Sequence, residues 1–424
     1  MSRTTRRSWT RRRLITKLSL LLALPIWLSC SFDVTNPGPI QDAQLDDPRA
    51  QEALVNGAGR ALSGALGWIA YTGGVAALEL RGSGNITVTS FGVTLKQRAG
   101  DLAPDQAETN EHWERAHTAR WVAEESVRRL HTVLGDDFDS DPLAAQALLY
   151  VGYANRLLGE NMCVAVIDGG AAESRDVHFE RARAAFTEAL DIAGRASTPE
   201  LATAARAGRA SVHAWLGDWD GVTSDASAVS EDFEYDALYA SIEVEQYNHT
   251  FWAGASQPFR AVTVWGTYFE SHYLDTNDPR TPWSTVDGQP TGDGSDIPFY
   301  RQQKYTEITS PIHLSSGREM QLLLAEALLR DGNWGDATTI LNQLRAGVSL
   351  PAESTTSLVE TWNMLRRERG AELWLEGRAL GDVFRWERDG VPGTHFQDVG
   401  GRDRCFPIGQ TEIDNNPNIS GELG

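Results

Sequence analysis

Glu372-Leu-Trp-Leu-Glu-Gly-Arg-Ala-Leu-Gly-Asp-Val-Phe-Arg-Trp386 is the stretch on which the reading of this chain turns, and Phe406-Pro-Ile-Gly-Gln-Thr-Glu-Ile-Asp-Asn-Asn-Pro-Asn418 follows it. Glu372 and Glu376 are four apart, and Leu373, Leu380, Val383 and Phe384 recur at three-to-four spacing, which predicts one helix with an apolar stripe and a charged edge. Asp382 and Arg385 should pair across a turn, with Arg366, Arg367 and Arg369 meeting Glu372 and Glu376 from the preceding turns. Ion pairs of this kind are ordinarily scaffold.

The two stretches closely resemble the closing helix and tail of the SusD/RagB family. Against that family's pattern Glu-Leu-x-x-Glu-Gly-x-Arg-x-x-Asp-Leu-x-Arg-Trp, the chain keeps Glu372, Leu373, Glu376, Gly377, Asp382, Arg385 and Trp386. It departs at Ala379, where the family has Arg; Arg378 stands one position earlier, roughly 100 degrees around a helix. In the tail, Pro407, Ile408, Gln410, Glu412, Asn416 and Pro417 match the family's Pro-Ile-Pro-x-x-Glu-x-x-x-Asn-Pro, with Gly409 in place of the second Pro. The resemblance implies a mainly all-α, SusD-like fold in which tetratricopeptide-like hairpins form a scaffold for a loop-rich insertion. It also implies a function: a nutrient-binding lipoprotein, usually for glycans, working beside a SusC-like TonB-dependent outer-membrane transporter. Such a protein binds and delivers without catalysis, and the reading calls for no cofactor and no metal.

Working outward to the N-terminus, Arg3, Arg6, Arg7, Arg11, Arg12, Arg13 and Lys17 precede an apolar run from Leu18 to Leu28 and then Ser29-Cys30. The run is too short for a stable membrane span, so residues 1–29 read as a secretory signal. Cys30 then reads as the lipid-attachment residue, residues 30–44 as a Pro-bearing tether, and 45–424 as the folded body. The only membrane contact expected is through lipid, at the outer membrane. Removing those seven cations moves the net charge from −20 to about −27. So acidic a body repels phosphate backbones, which argues against nucleic acid as a partner. With Cys30 assigned to lipid, Cys163 and Cys405 either form one disulfide or remain two buried thiols; counting thiols under denaturing, non-reducing conditions separates the alternatives.

Three segments share the pattern of a helical hairpin: 143–193, 203–229 and 319–344. In the second and third, a helix with apolar residues at three-to-four spacing stops at Gly217 or Gly332, and Trp219 or Trp334 opens the next helix, where it should cover the hairpin's apolar mouth. Further helices are expected at Trp113–Val133 and Pro48–Leu66, and the family helix and tail occupy 360–418. Residues 230–312 read as an irregular, aromatic, turn-rich region with one short strand around Arg260 to Thr267. Within it, Leu274-Asp-Thr-Asn-Asp-Pro-Arg-Thr-Pro-Trp283 resembles an Asp-Pro-Arg loop of the same family.

Sugar rings have flat apolar faces edged by hydroxyls, so exposed aromatic faces beside carboxylates or guanidinium groups suit their capture. The candidates are Trp252, Trp265, Tyr268, Trp283 and Tyr300, with Asp278, Arg280 and Asp296 as polar partners. A second candidate region is Tyr71 to Val93, with Tyr71 and Phe91 as its rings. Oligosaccharide is the leading ligand class, with peptide or another polymer fragment as the alternative. The chain has no Gly-x-Ser-x-Gly elbow, no Walker A loop and no His-Glu-x-x-His helix. His112 and His117 are five apart, off the spacing that would aim both imidazoles at one metal, and Gly292-Asp-Gly-Ser-Asp296 reads as a solvated loop. Two rival functions stay in view: a helical glycoside hydrolase, which needs a facing carboxylate pair, and a scaffold subunit that binds only the transporter.

Overall fold

The computed structural model describes residues 42–82, 97, 99–255, 260–285 and 297–419. Cys30, the signal stretch, Phe91, and the Gly292–Asp296 turn with its Asp296 lie outside the described residues. The chain divides into two compact units, Met1–Asp42 and Ala43–Gly424, and all that follows concerns the second. Among the described residues no helix is long and apolar enough to cross a membrane.

The fold is mainly helical. In chain order the helices are α1 (Gln51–Ala76), α2 (Ala107–Leu134), α3 (Pro142–Asn161), α4 (Asp176–Arg195), α5 (Pro199–Leu216), α6 (Trp219–Ala226), α7 (His249–Ala255), α8 (Tyr268–Thr276), α9 (Gly317–Arg330), α10 (Trp334–Gly347), α11 (Leu358–Glu372), α12 (Ala379–Arg388) and α13 (Gln410–Asn415). The hairpin segments correspond to α3 with α4, α5 with α6, and α9 with α10. Their starts are chemically marked: the Asp141 carboxylate accepts the Leu143 amide at 2.7 Å ahead of Pro142, and the Ser316 hydroxyl accepts the Glu319 amide at 3.1 Å. Gly217 and Gly332 close α5 and α9 with φ of 76° and 78°, a conformation costly for a residue with a Cβ. The expected shielding role fails for Trp334, which is 37% exposed, whereas Trp219 is half-buried beneath the Arg330 guanidinium.

α1 runs ten residues past the expected Leu66, and Leu62 to Ala76 are all buried. It is packed against α2, α3, α7 and α12, so from Leu62 onward it has no wet face and no periodicity to read. Tyr71, offered above as an exposed ring, is 1% exposed inside this helix. The region 230–312 is also more ordered than expected, since it contains α7 and α8 as well as short strands.

Those strands form two-stranded antiparallel pairs. β1 (Arg81–Gly82) pairs with β5 (Val262–Thr263), β2 (Val164–Val166) with β3 (Ala172–Ser174), β4 (Glu234–Ala237) with β8 (Ile312–Ser316), and β6 (Trp283–Thr285) with β7 (Tyr300–Gln302). The strand expected over Arg260–Thr267 is only two residues long, because Gly266 takes a φ of 71° and Thr267 leads into α8.

The opening motif is not one helix. α11 ends at Glu372, residues 373–378 turn, and α12 begins at Ala379, with Leu375 and Gly377 at φ of 62° and 72°. The turn lies against α1: a Cβ added at Gly377 would sit 3.5 Å from the Ala70 backbone and 3.2 Å from Leu66. Trp374 and Leu375 are wholly buried, the Leu375 amide donates to Glu79 Oε1 at 2.9 Å, and the Trp374 indole N–H lies 3.4 Å from the Glu79 carbonyl. The tail is anchored by the Cys163–Cys405 disulfide and by Phe406, whose amide donates to the Asn161 carbonyl at 2.8 Å. Farther along, Asn416 Nδ2 donates to Glu412 Oε1 and to the Gly170 carbonyl at 2.8 and 2.9 Å, and Pro417 is exposed. Pro407 is half-buried between these anchors.

Glu79 supplies a test of this seat. Burial pushes its carboxyl up to about 8, with the Leu375 amide and Lys304 only partly offsetting that. The folded state therefore holds a proton that the unfolded carboxyl releases near its model value of 4.5, so stability falls as pH rises from there toward 8, by about 1.4 kcal/mol per pH unit. Glu79→Gln removes the titration. Urea denaturation at stepped pH should show the variant gaining on the wild type between about pH 5 and pH 8, with the two curves parallel at lower pH.

Candidate functional site

Two of the aromatic candidates, Trp265 and Tyr300, meet at one residue through their backbone amides, and Trp283 stacks on the second of them. Thr263, at the end of β5, accepts the Tyr300 amide at 2.8 Å and the Trp265 amide at 3.2 Å on its hydroxyl, which in turn donates to the Pro298 carbonyl at 2.9 Å. The Val264 amide adds a backbone bond to the Tyr300 carbonyl at 2.9 Å, joining the β1–β5 pair to β7. On the β6–β7 ribbon, Thr285 lies opposite Tyr300 and Trp283 two positions along, so both rings emerge on one face. They stack at 4.4 Å with an interplanar angle of 8°, and Tyr273 from α8 approaches Trp283 at 6.2 Å. The Trp283 indole N–H donates to the Glu270 carbonyl at 3.2 Å, which fixes the ring plane. Trp265, Trp283 and Tyr300 are all half-buried.

The remaining candidates are placed otherwise. Trp252 packs edge-on to Tyr247 and His249, and His249 stacks on Trp68 of α1 at 4.0 Å. Tyr268 lies against Phe396 and His272, and burial pushes its hydroxyl up to about 12. Asp278 is 0% exposed; burial alone would raise its pKa, but His272 at 2.9 Å and Arg280 at 2.7 Å hold the carboxyl well below its usual range. Arg280 also reaches Glu368 at 2.8 Å and Glu372 at 3.2 Å. These two residues, expected as ligand contacts, are buried members of an ion-pair network and present no free polar edge.

The motif residues are partnered in the same way, though not as the helical spacing predicts. Glu372 takes Arg318 at 2.6 Å besides Arg280, and Glu376 takes Lys304 at 2.7 Å, in place of Arg366, Arg367 and Arg369. Arg369 instead pairs with Asp382 at 2.7 Å, Arg367 with Glu353 at 2.7 Å, and Arg366 with the Pro392 carbonyl at 2.8 Å. Asp382 and Arg385 do approach, at 3.6 Å, but the main partner of Arg385 is Glu326, bound through both guanidinium nitrogens at 2.7 and 2.8 Å; Trp386 donates to the same carboxylate at 3.1 Å. Arg378 is buried and bonds Glu319 and, at 3.4 Å, Glu160. Because it precedes α12 and is not part of a continuous helix, the angular offset expected from its position has no consequence.

Two cavities lie apart from the three rings. One of about 510 Å³ between α1 and α2 is lined by Gly57, Gly64, Arg60, Glu111, Arg115 and Glu245. Another of about 230 Å³ is walled by Glu372, Glu376, Arg280, Lys304, Arg318 and His313. No aromatic residue lines the larger cavity and Phe233 alone lines the smaller, so the rings near Thr263 are the richer aromatic surface. For metals, Glu234, Asp236 and His313 place one ligand atom each within 4.8 Å of one another. Burial opposes protonation of His313, but its 2.6 Å bond to Asp236 prevails and pushes it up to about 9, so the ring is a cation in an ion pair. Burial lowers His112 and His117 to about 3; His112 bonds Thr72 and His117 packs on Trp113, so both are packing residues. Sequence reasoning missed Arg81, Thr263 and Tyr273 as parts of the platform. Tyr273 lay among the rings of the aromatic region without being singled out, and β-branched alternation marked the strand around Thr263.

A model described as the SusD family matches residues 318–404. The chain is similar to a solved SusD/RagB family protein from Bacteroides thetaiotaomicron, at 15% identity and a TM-score of 0.64, covering 87% of this chain and 94% of that one. It is similar also to a SusD-like carbohydrate binding protein from Bacteroides vulgatus, at 16% identity and a TM-score of 0.60, covering 87% and 96%. A SusD-like protein from Bacteroides fragilis gives 13% identity and a TM-score of 0.64, covering 91% and 98%. No curated protein matches the chain in sequence.

Thr263→Val tests how the platform is built. The change keeps the shape but leaves the Tyr300 and Trp265 amides and the Pro298 carbonyl short of a partner, at a cost of about 1–3 kcal/mol. A lowered urea midpoint together with altered tryptophan emission is the expected result; an unchanged midpoint would show that the hydroxyl holds nothing together.

Proposed function

This chain is a SusD/RagB family protein, and we propose that it is a cell-surface lipoprotein, anchored through Cys30 at the outer membrane, that captures nutrient oligomers and hands them to a SusC-like TonB-dependent transporter. The observation that supports the capture step is the platform of Trp265, Trp283 and Tyr300 around Thr263. The Trp283 and Tyr300 rings are held by their mutual stack, an indole hydrogen bond and the strand pairing, so little conformational entropy is lost when a sugar face lands on them. The oligomer is a glycan: the site gathers Trp and Tyr rings whose apolar faces suit sugar rings, and one solved relative is a SusD-like carbohydrate binding protein.

The motif residues have a different part in this reading. Glu372, Glu376, Asp382 and Arg385 hold helices together and leave the ligand to residues whose identity can vary between proteins of this shape. Release into the transporter then requires no chemistry on the glycan.

Retention of the purified protein on immobilised glycans checks the proposal. Trp283→Ala and Tyr300→Ala should each weaken binding about tenfold or more, the equivalent of roughly 1.4 kcal/mol, with the helical circular dichroism unchanged. Variants that fold and bind as the wild type does would overturn the assignment of the platform, and turnover of a retained glycan would favour the hydrolase rival.

A further inference from the structure

At the Trp265 end of the platform stands a cation that has no anion partner among the described residues. Arg81 of β1 is exposed, and its guanidinium lies over the Trp265 ring at 5.2 Å from the centroid. Its Nη1 occupies the space that a Cβ at Gly266 would need, so the glycine, at φ 71°, makes room for it. Among the described residues no carboxylate lies within ion-pair distance of Arg81. Glu270, the acid nearest in the platform's own framework, accepts the Gly266 amide at 2.5 Å.

That isolation is unusual in this molecule. The chain carries a net charge of −20, and its arginines are generally claimed by acids: along α2 alone, Arg115, Arg120, Arg128 and Arg129 all have a glutamate partner. A second guanidinium, that of Arg402, is close to Arg81. Arg402, which holds the Val75 and Ala76 carbonyls at 3.0 and 2.7 Å, has its pKa lowered first by burial and then by Arg81 and Arg404, so these like charges are close enough to repel. An anion arriving there relieves repulsion and gains hydrogen bonds in the same step.

Resting on the capture reading above, we propose that the platform selects acidic glycans, with Arg81 binding the carboxylate of a uronic-acid unit while Trp283 and Tyr300 take the neighbouring sugar face. A guanidinium presents two parallel N–H donors that match the two oxygens of a carboxylate, and stacking on Trp265 orders the group before the ligand arrives. The acidic surface elsewhere does not defeat this, because ionic screening at physiological salt confines exposed charges to within about 8 Å.

The test pairs each acidic polysaccharide with its own neutral counterpart. Polygalacturonate, alginate, glucuronoxylan and hyaluronan are assayed for binding to the purified protein beside the same polymers after chemical reduction of their carboxylates to alcohols. We expect at least one acidic polymer to bind about tenfold or more tightly than its reduced form, the advantage to shrink as salt is raised, and Arg81→Gln to abolish it. Trp283→Ala should weaken both forms alike, which separates stacking from charge recognition. Equal binding of the two forms, preference for neutral glycans throughout, or an Arg81→Gln variant that keeps the full advantage overturns the acidic-glycan inference and leaves the capture reading standing. Binding of no glycan in either form overturns the capture reading and this inference with it.

Discussion

Glu326 has no exposed surface, and its carboxylate is bound by both arms of Arg385, by Arg330 at 3.0 Å and by the Trp386 indole. A buried charge is tolerable only when its partners are in place, and removing one leaves a desolvation cost of several kcal/mol uncompensated. Burial would push Glu326 up, yet Arg385 holds it down to about 2. α9 and α12 therefore have one relative position that satisfies these groups. The same logic runs through Glu319, Arg378 and Glu160, which tie α9 and the turn before α12 to α3, and through Arg280 with Glu368 and Glu372, which ties the 230–312 region to α11. Charges distant in sequence thus act as the joints between layers, and the aromatic platform rests on a frame that these joints make stiff.

The parts of the fold that were legible beforehand are those where physics is local. Hairpin helices with one wet face show a three-to-four period, and a glycine that must take a positive φ marks where they stop. α1 hid its length because its second half, from Leu62, is surrounded: a segment buried on every side has no polar face to contrast with its apolar one. The motif hid its break for another reason. Leu375 takes a left-handed conformation that no leucine advertises, and what pins it there is Glu79, nearly three hundred positions earlier. Pairing rules written for i and i+4 neighbours found Asp382 with Arg385 and could not find Lys304 for Glu376, because that contact exists only once the tertiary fold does.

The site followed the same division. Composition singled out an aromatic region, and Trp265, Trp283 and Tyr300 were among its rings; nothing in the sequence separates them from Tyr268, whose ring is equally suitable and is instead packed against Phe396. Asp278 and Arg280 were the natural polar partners by proximity in the chain, yet two residues apart on a tight turn they find each other first. Arg81 carries no sequence mark at all. Its place depends on β1 pairing with β5 across about 180 residues, and only that pairing brings its guanidinium to Trp265.

The Cys163–Cys405 bond spans 242 positions and closes a covalent ring. Inside that ring lie the second and third hairpins, Thr263, Trp265, Trp283, Tyr300 and the whole of the Glu372–Trp386 motif. A single protease cut anywhere along this arc yields two chains that stay joined through sulfur, so the nicked molecule sheds no fragment and its buried ion pairs keep both pieces in register. At the cell surface, where the proposed function places the protein, the bond would convert a lethal cleavage into a tolerable scar.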